Sequence, residues 1–207
     1  MVAPHREGTM TEKLIGLVDQ IQKLHDELDR EIAKRRVAMG FNLSGKFVQF
    51  EQNVVNRHRA LRTGILKYIS TADIPTVITA PIIYGMILPI ALLDLSVTVY
   101  QQLCFRAYGM ARVRRADYIV IDRQYLKYLN WIEALNCVYC GYANGVFAYA
   151  REIGARTEQF WCPIKHALRV KDPHQRYFEF LEYGDADSYR TRLAEFRKRL
   201  AENPPTP

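Results

Sequence analysis

Residues 74–105 read IPTVITAPIIYGMILPIALLDLSVTVYQQLCF, and this stretch decides the fold. Its first twenty residues, 74–93, carry no charge, and ten of them are Ile, Leu or Val. A helix that spans a membrane needs about 20 predominantly apolar residues. The stretch therefore predicts a helix that enters a membrane or lies on one. Pro75, Pro81 and Pro89 oppose a regular helix, because proline removes a backbone donor and crowds the preceding turn.

Two paths fit the length of this stretch. As one straight helix its 32 residues would reach about 48 Å, against a hydrocarbon core of about 30 Å. In the first path, residues 74–93 cross once and the chain continues as an amphipathic helix. The polar face of that second part consists of Asp94, Thr98, Gln101 and Gln102. In the second path, the chain bends at its prolines and returns, which makes a re-entrant hairpin in one leaflet.

Four basic residues lie on each side of the stretch. Those before it are Arg57, Arg59, Arg62 and Lys67. Those after it are Arg106, Arg112, Arg114 and Arg115. Positive charge favours the cytoplasmic side of a membrane. Equal flanks therefore favour the re-entrant hairpin, a monotopic arrangement with both ends of the stretch on that side.

The charge balance indicates the class of partner. The net charge is +7 and the pI is about 9.3, which suggests an anionic partner. Because the basic residues flank the apolar stretch, membrane lipids are favoured over nucleic acid. Asp94 would cost about 2.5–3.5 kcal/mol at the bilayer centre, so we expect it near headgroups or against protein.

The N-terminal part predicts a helical hairpin or a coiled coil over residues 11–70. Residues 1–10 read as disordered, and residues 11–39 as a helix with apolar residues spaced 3 and 4 apart. These are Leu14, Leu17, Ile21, Leu24 and Leu28. This seam either packs on its own chain or forms a coiled coil, as in a homo-oligomer. A loop at 40–45 would connect it to a second helix at 46–70.

The part after the apolar stretch predicts a helical unit over residues 116–203 with a tail at 204–207. Helices are expected at 117–135 and 143–158 with a turn at 136–141 between them. The pair Asp172-Pro173 predicts another helix start, and Asp187 or Ser188 the start of the last helix. No β pattern of useful length is present, so the predicted fold class is all-α.

Two short motifs carry the candidate chemistry of the chain. Cys137 and Cys140 are separated by two residues, and Cys162 precedes His166 by four, which places the latter pair on one face of a helix. Three thiolates and an imidazole form a standard four-coordinate zinc set. Four cysteines are too few for a disulfide framework, and this usage fits a reducing, cytoplasmic compartment.

The sequence Cys137-Val-Tyr-Cys-Gly-Tyr142 resembles the metal-binding knuckle of rubredoxins and zinc ribbons. Three thiolates and one imidazole favour zinc as the metal. The rubredoxin-type motif implies iron as the alternative, and a glycine turn that directs N–H groups at sulfur. A cycling dithiol with Cys162 as the resolving thiol is a further alternative. The segments 135–145 and 156–166 together resemble an uncharacterised bacterial membrane-protein family, which implies a bacterial inner-membrane setting.

Charged residues near the cysteines have two interpretations. Glu133, Arg151, Glu152, Arg156 and Glu158 either form hydrogen bonds behind a metal site or make ordinary ion pairs. The usual nucleotide-binding, hydrolase and metalloprotease motifs are absent from the sequence, which favours a protein that is not an enzyme. The sequence therefore predicts a membrane-anchored scaffold or assembly protein with a structural Cys3His zinc site and a homo-oligomeric or membrane-protein partner. A redox protein using the same cysteines is the alternative.

Overall fold

The computed structural model describes residues 7–38, 41–44, 47–50 and 52–202. The chain divides between Arg62 and Thr63 into two compact units, which are treated one at a time. The predictions for residues 1–6 and for the tail at 204–207 lie outside the described residues.

The first unit contains one long helix followed by a β-hairpin and a short helix. Helix α1 spans Glu7–Ala38, strands β1 (Phe41–Ser44) and β2 (Phe47–Phe50) pair antiparallel, and helix α2 spans Gln52–Ala60. The helix predicted at 11–39 is confirmed, and it begins earlier than expected, inside the segment predicted as disordered.

The β-hairpin corrects the prediction of a loop at 40–45 and of a helix running from residue 46. Phe41 pairs with Phe50, and Ser44 pairs with Phe47. Strand β1 (Phe-Asn-Leu-Ser) alternates apolar and polar residues, whereas β2 (Phe-Val-Gln-Phe) is apolar except for Gln49. Aromatic and β-branched residues of this kind favour strands. Each strand has only four residues, too few to stand out against the helical spacing that continues to Leu61. The pairing of two long helices is not confirmed.

The apolar seam of α1 is exposed to solvent where its side chains are described. Leu17, Ile21, Leu24 and Leu28 are between 50% and 64% exposed. The side chain of Leu14 lies outside the described residues. A seam of this kind is what an unpartnered coiled-coil strand presents.

The second unit begins with helix α3 (Ile65–Ser70) and a long apolar helix. Helices α4 (Ile74–Gly85) and α5 (Ile87–Tyr100) and a π-helical turn (Gln101–Phe105) follow one another along it. We call Ile74–Phe105 the apolar helix. Among the described residues it is the one helix long and apolar enough to span a membrane.

The apolar helix does not turn back at its prolines, which corrects the prediction of a re-entrant bend. Met86 joins α4 to α5 with helical angles, φ −63° and ψ −13°. The amide of Ile90 donates to the Met86 carbonyl at 3.2 Å, so the helical hydrogen bonds resume at once. Pro75 and Pro89 lie in the first turns of α4 and α5, where a missing N–H costs little.

A crossover segment leads from the apolar helix to helix α7 (Trp131–Trp161), passing through helix α6 (Arg115–Tyr118) and a 3₁₀ turn (Arg123–Tyr125). Helix α7 runs parallel to the apolar helix. Near its start, the Tyr84 hydroxyl bonds to Asn136, and near its end the Tyr100 and Thr157 hydroxyls lie 3.0 Å apart.

The unit is completed by a 3₁₀ turn (Gln175–Glu179) and helix α8 (Ala186–Glu202). Its main core lies where the apolar helix, α7 and α8 meet. The buried residues of that core are Phe105, Met110, Val113, Tyr149, Ile153 and Leu200. The predicted last helix is confirmed. The helix start expected at Asp172-Pro173 is wrong, because His174 caps only the short 3₁₀ turn.

Helix α7 corrects the predictions of a helix at 117–135 and a turn at 136–141. Asn130 caps the helix by accepting from the amides of Ile132 and Glu133, and the Glu133 carboxylate accepts in return from the Asn130 amide. This capping box fixes the start of α7. The helix then continues through the predicted turn, so Gly141 and Gly145 lie inside it.

The two glycines of α7 allow the crossover backbone to approach the helix. A Cβ at Gly145 would lie 2.8 Å from both the Tyr118 carbonyl oxygen and the Ile119 Cα, and a Cβ at Gly141 would lie 3.2 Å from the Val120 carbonyl oxygen. The contacts are with backbone, which cannot rotate away as a side chain would. The glycines therefore serve close packing.

Replacing Gly145 by alanine should destabilise the protein. The substitution forces the crossover away from α7, and overpacking of this kind costs about 1–3 kcal/mol. Gly154→Ala in the same helix is the matched control, because a Cβ added there would meet no atom within 4 Å, and it should stabilise by about 0.5–1 kcal/mol. Thermal unfolding of the full chain in mild detergent measures both variants. Equal shifts of the unfolding temperature in the same direction for Gly145→Ala and Gly154→Ala would contradict the packing argument.

Candidate functional site

The apolar helix leaves one face exposed along its whole length. The large exposed side chains on that face recur three or four residues apart, except for one step of six residues between Ile82 and Leu88. They are Ile74, Ile78, Ile82, Leu88, Leu92, Leu95, Val99 and Leu103. A contiguous apolar face of this length is unusual on a soluble monomer and marks a lipid or protein interaction site.

In the second half of the same helix, from Ile90 onward, the opposite face is buried and carries a carboxylate. Asp94 is only 8% exposed. Arg115 donates to it from Nε to Oδ1 at 3.0 Å and from Nη2 to Oδ2 at 2.6 Å, and the Tyr142 hydroxyl donates to Oδ2 at 3.0 Å. The two-pronged guanidinium contact is the strongest form of such a pair. Asp94 thus lies against protein, one of the two places predicted for it.

Electrostatic interactions in this cluster keep Arg115 charged and Tyr142 neutral, the forms in which both donate hydrogen bonds to Asp94. The hydrogen-bonded Asp94 carboxylate raises the pKa of Arg115, which therefore stays charged. Burial raises the pKa of the Tyr142 phenol, and its hydrogen bond to Asp94 raises that pKa further. Tyr142 is consequently a neutral donor at physiological pH. Both oxygens of Asp94 are occupied, so the cluster is built to hold segments together.

The polar face continues one and two turns further along the helix. The Thr98 hydroxyl lies 3.4 Å from the Tyr149 hydroxyl. The Gln101 side chain accepts from the Val113 amide at 3.0 Å and donates to the Val113 carbonyl at 3.3 Å and to the Tyr149 hydroxyl. The predicted polar face is therefore confirmed for Asp94, Thr98 and Gln101, and it faces α7 and the crossover.

The basic residues that flank the apolar helix have different surroundings. Arg57 and Arg59 lie in α2, Arg62 follows it, and Lys67 lies in α3. After the helix, Arg115 is bound to Asp94 and Arg114 lies 3.8 Å from Asp117. Arg112 donates to Gln102 at 2.5 Å, and Arg106 is exposed.

The structure does not bring the predicted metal ligands together. Cys137 and Cys140 lie in the first part of α7, whereas Cys162 caps its end. Cys140 and Cys162 are 22 positions apart, which corresponds to about 33 Å along a helix. His166 lies beyond Cys162, with its ring stacked on Tyr177.

The described residues contain no group of three or more His, Cys, Asp or Glu side chains arranged to hold a metal ion. The predicted zinc site, like the iron alternative, stays an untested prediction without support from the geometry. Because of the same separation, Cys162 does not lie where it could act as a resolving thiol for Cys137 or Cys140. Cys140 and Cys162 are exposed and Cys137 is half-buried, all three as free thiols.

The charged residues near the cysteines form ion pairs and caps. Arg156, whose side chain is fully buried, donates to Glu152 at 2.8 Å and to the Ala111 carbonyl at 2.6 Å. Arg176 donates to Glu152 at 2.9 Å and to Gln159 at 2.9 Å. The other predicted members make a cap or single pairs: Glu133 with Asn130, Arg151 with Asp172, Glu158 with His174.

Sequence reasoning missed Gln159 and Arg176, which complete this network. Gln159 is buried and also donates to the Phe196 carbonyl of α8 at 3.3 Å. Spacing does reveal one part of the network, since Glu152 and Arg156 are four apart on a helix. No local signal connects them to Arg176, which approaches from a distant turn.

Comparison with protein-family models, with curated proteins and with solved structures gives no match. The functional argument therefore depends on the geometry of the chain. Two features stand out in that geometry: the exposed apolar face of the apolar helix, and the Asp94 cluster that fixes the direction in which this face points.

Removing Arg115 should destabilise the protein more than neutralising Asp94. Arg115→Gln leaves a buried carboxylate without its cation, at a cost of about 1–3 kcal/mol after allowance for the partial exposure of Arg115. Asp94→Asn keeps an acceptor for Tyr142 and leaves Arg115 to water, so its cost should be smaller. The double variant should lose less than the sum of the two. Denaturant unfolding in detergent measures the free energy of unfolding of the two single variants and the double variant. If the two single losses simply add up in the double variant, Asp94 and Arg115 are not coupled.

The separation of the thiols predicts independent behaviour of the two cysteine motifs. Cys162→Ser should leave unchanged any zinc that Cys137 and Cys140 retain, and it should leave the unfolding temperature unchanged. Zinc content of protein purified without chelator, for the wild type, Cys162→Ser and Cys140→Ser, measures this. One zinc per chain that either substitution abolishes would instead show that the four predicted ligands converge and that α7 is interrupted.

Proposed function

We propose that this protein is a membrane-anchored helical scaffold or assembly protein without catalytic activity of its own. The observation that carries the proposal is the exposed apolar face that extends from Ile74 to Leu103. Burial of apolar surface is worth about 25 cal/mol per Å², and eight large side chains on one face offer a substantial driving force. Lipid is the environment that can cover such a face along its full length.

The contacts of the apolar helix favour an anchor that lies in the plane of one leaflet. Its side chains at 81–86 are exposed, and contact with α7 begins at Ile83 and Tyr84. Residues 74–83 alone reach about 15 Å, half of what a crossing needs. A crossing by residues 74–93 would draw Glu133, one turn before Asn136, towards the hydrocarbon core.

An orientation in the plane avoids this cost and uses the whole face. The exposed apolar side chains continue to Val99 and Leu103, beside the folded part of the unit. A helix standing upright in the membrane would leave that second half of the face in water. An amphipathic helix at the interface instead buries one apolar face and keeps its polar face outside. This monotopic arrangement places both ends of the helix on the same side.

The assembly part of the proposal is supported by α1. Its apolar seam, Leu17 to Leu28, is exposed, and a heptad pattern of this kind favours association with a second copy or with a membrane-protein partner. The proposed location is the cytoplasmic side of a bacterial inner membrane. The free thiols and the basic residues around the apolar helix support that side.

Binding to lipid vesicles tests the anchor. The full chain should float with vesicles of phosphatidylcholine, and the double variant Leu88→Asn, Leu92→Asn should bind about 100-fold more weakly, because each substitution removes about 1.4 kcal/mol of apolar burial, which is tenfold in affinity. Leu168→Asn is the control, since Leu168 (83% exposed) is even more exposed than Leu88 (73%) and Leu92 (63%) but lies outside the apolar helix. Its binding should be unchanged.

Two outcomes would contradict the proposal. Unchanged flotation of the double variant, with a normal circular dichroism spectrum, would show that the apolar face does not contact lipid. A wild-type protein that remains in solution as a dimer, and becomes monomeric on the same two substitutions, would show that a second copy covers the face.

A further inference from the structure

We propose that Arg106 and Arg112 bind the phosphate groups of anionic phospholipids at the C-terminal end of the apolar face. This inference depends on the membrane anchoring proposed above and adds the class of lipid. It separates these two arginines from Arg114 and Arg115, the other two basic residues that follow the helix.

Arg106 and Arg112 both lie at the C-terminal end of the apolar face. Leu103 is the last large residue of the apolar face and is 66% exposed. Its neighbour Gln102 accepts a hydrogen bond from Arg112 Nη1 at 2.5 Å, which fixes that guanidinium beside the end of the face. Arg106 follows one turn later and is also exposed. Two cations thus lie next to the last apolar side chain that enters lipid.

The arginines after the apolar helix differ in whether a carboxylate lies beside them. Four arginines lie between residues 106 and 115, and carboxylates oppose two of them: Asp94 pairs with Arg115, and Asp117 lies near Arg114. In the part of the chain that the structure describes, no carboxylate lies within ion-pair distance of Arg106 or Arg112. These two guanidinium groups therefore keep their full charge for an external anion.

The chemistry of a phospholipid phosphate fits the two guanidinium groups and their surroundings. A guanidinium group presents parallel N–H donors that match two phosphate oxygens. With the helix in the plane of the interface, long arginine side chains beside the apolar face reach the headgroup layer while their stems stay on apolar surface. A nucleic acid would satisfy the cations and leave Val99 and Leu103 in water, whereas a phospholipid satisfies both.

Two vesicle compositions and two pairs of substitutions test the inference with the full chain. On phosphatidylcholine mixed with phosphatidylglycerol, Arg106→Gln with Arg112→Gln should weaken binding about fivefold for each arginine, or roughly 25-fold together. On phosphatidylcholine alone, the same variant should bind as the wild type does. The control pair is Arg169→Gln with Arg190→Gln, which removes the same charge from exposed positions elsewhere.

The outcomes distinguish this inference from the proposed function. If the wild type does not bind phosphatidylcholine alone or the mixture, the anchoring proposal itself fails. If the wild type binds both but the Arg106 and Arg112 variant keeps its preference for the mixture, anchoring stands and the headgroup site is wrong. If the control pair loses as much as the test pair, net charge and not position determines the preference, which also overturns the site.

Discussion

The ion pair between Asp94 and Arg115 is the constraint on which the second unit depends. A carboxylate in the middle of a 32-residue apolar helix loses its hydration whether the helix enters lipid or packs on protein, and only a charged partner with good geometry offsets that loss. Arg115 supplies it from the crossover, and Tyr142 adds a hydrogen bond from α7. One side chain thereby holds together three segments that are distant in sequence.

The direction of Asp94 also determines which face of the helix stays exposed. Because Asp94, Thr98 and Gln101 lie on one side and bond to α7 and the crossover, the residues on the other side cannot pack on the same unit. Leu88 to Leu103 therefore stay uncovered as a consequence of the internal polar contacts. The anchor and the core of this unit are two faces of one helix, and a change that weakens the pair should disturb both.

Local patterns were sufficient to predict the apolar helix, its polar face and the last helix. They failed at α7, where Gly141 read as the end of a turn at 136–141. Glycine is rare inside helices because it is unfavourable there, so a local reading takes it as a break. Gly141 lies inside the helix because the Val120 backbone, which comes from another part of the chain, approaches it there. The predicted zinc ligands illustrate the same limit, since spacing along the sequence does not show that one continuous helix separates Cys140 from Cys162.

In a small helical unit a structural metal would compensate for a limited core, and here buried polar contacts provide comparable cross-links. Arg156 connects α7 to the Ala111 carbonyl after the apolar helix, Gln159 connects it to the Phe196 carbonyl of α8, and Arg176 joins it to the turn at 175–179. Each contact joins segments far apart in sequence, as a shared metal ion would. Because none of them uses a thiol, the stability of this unit does not require the cysteines to converge.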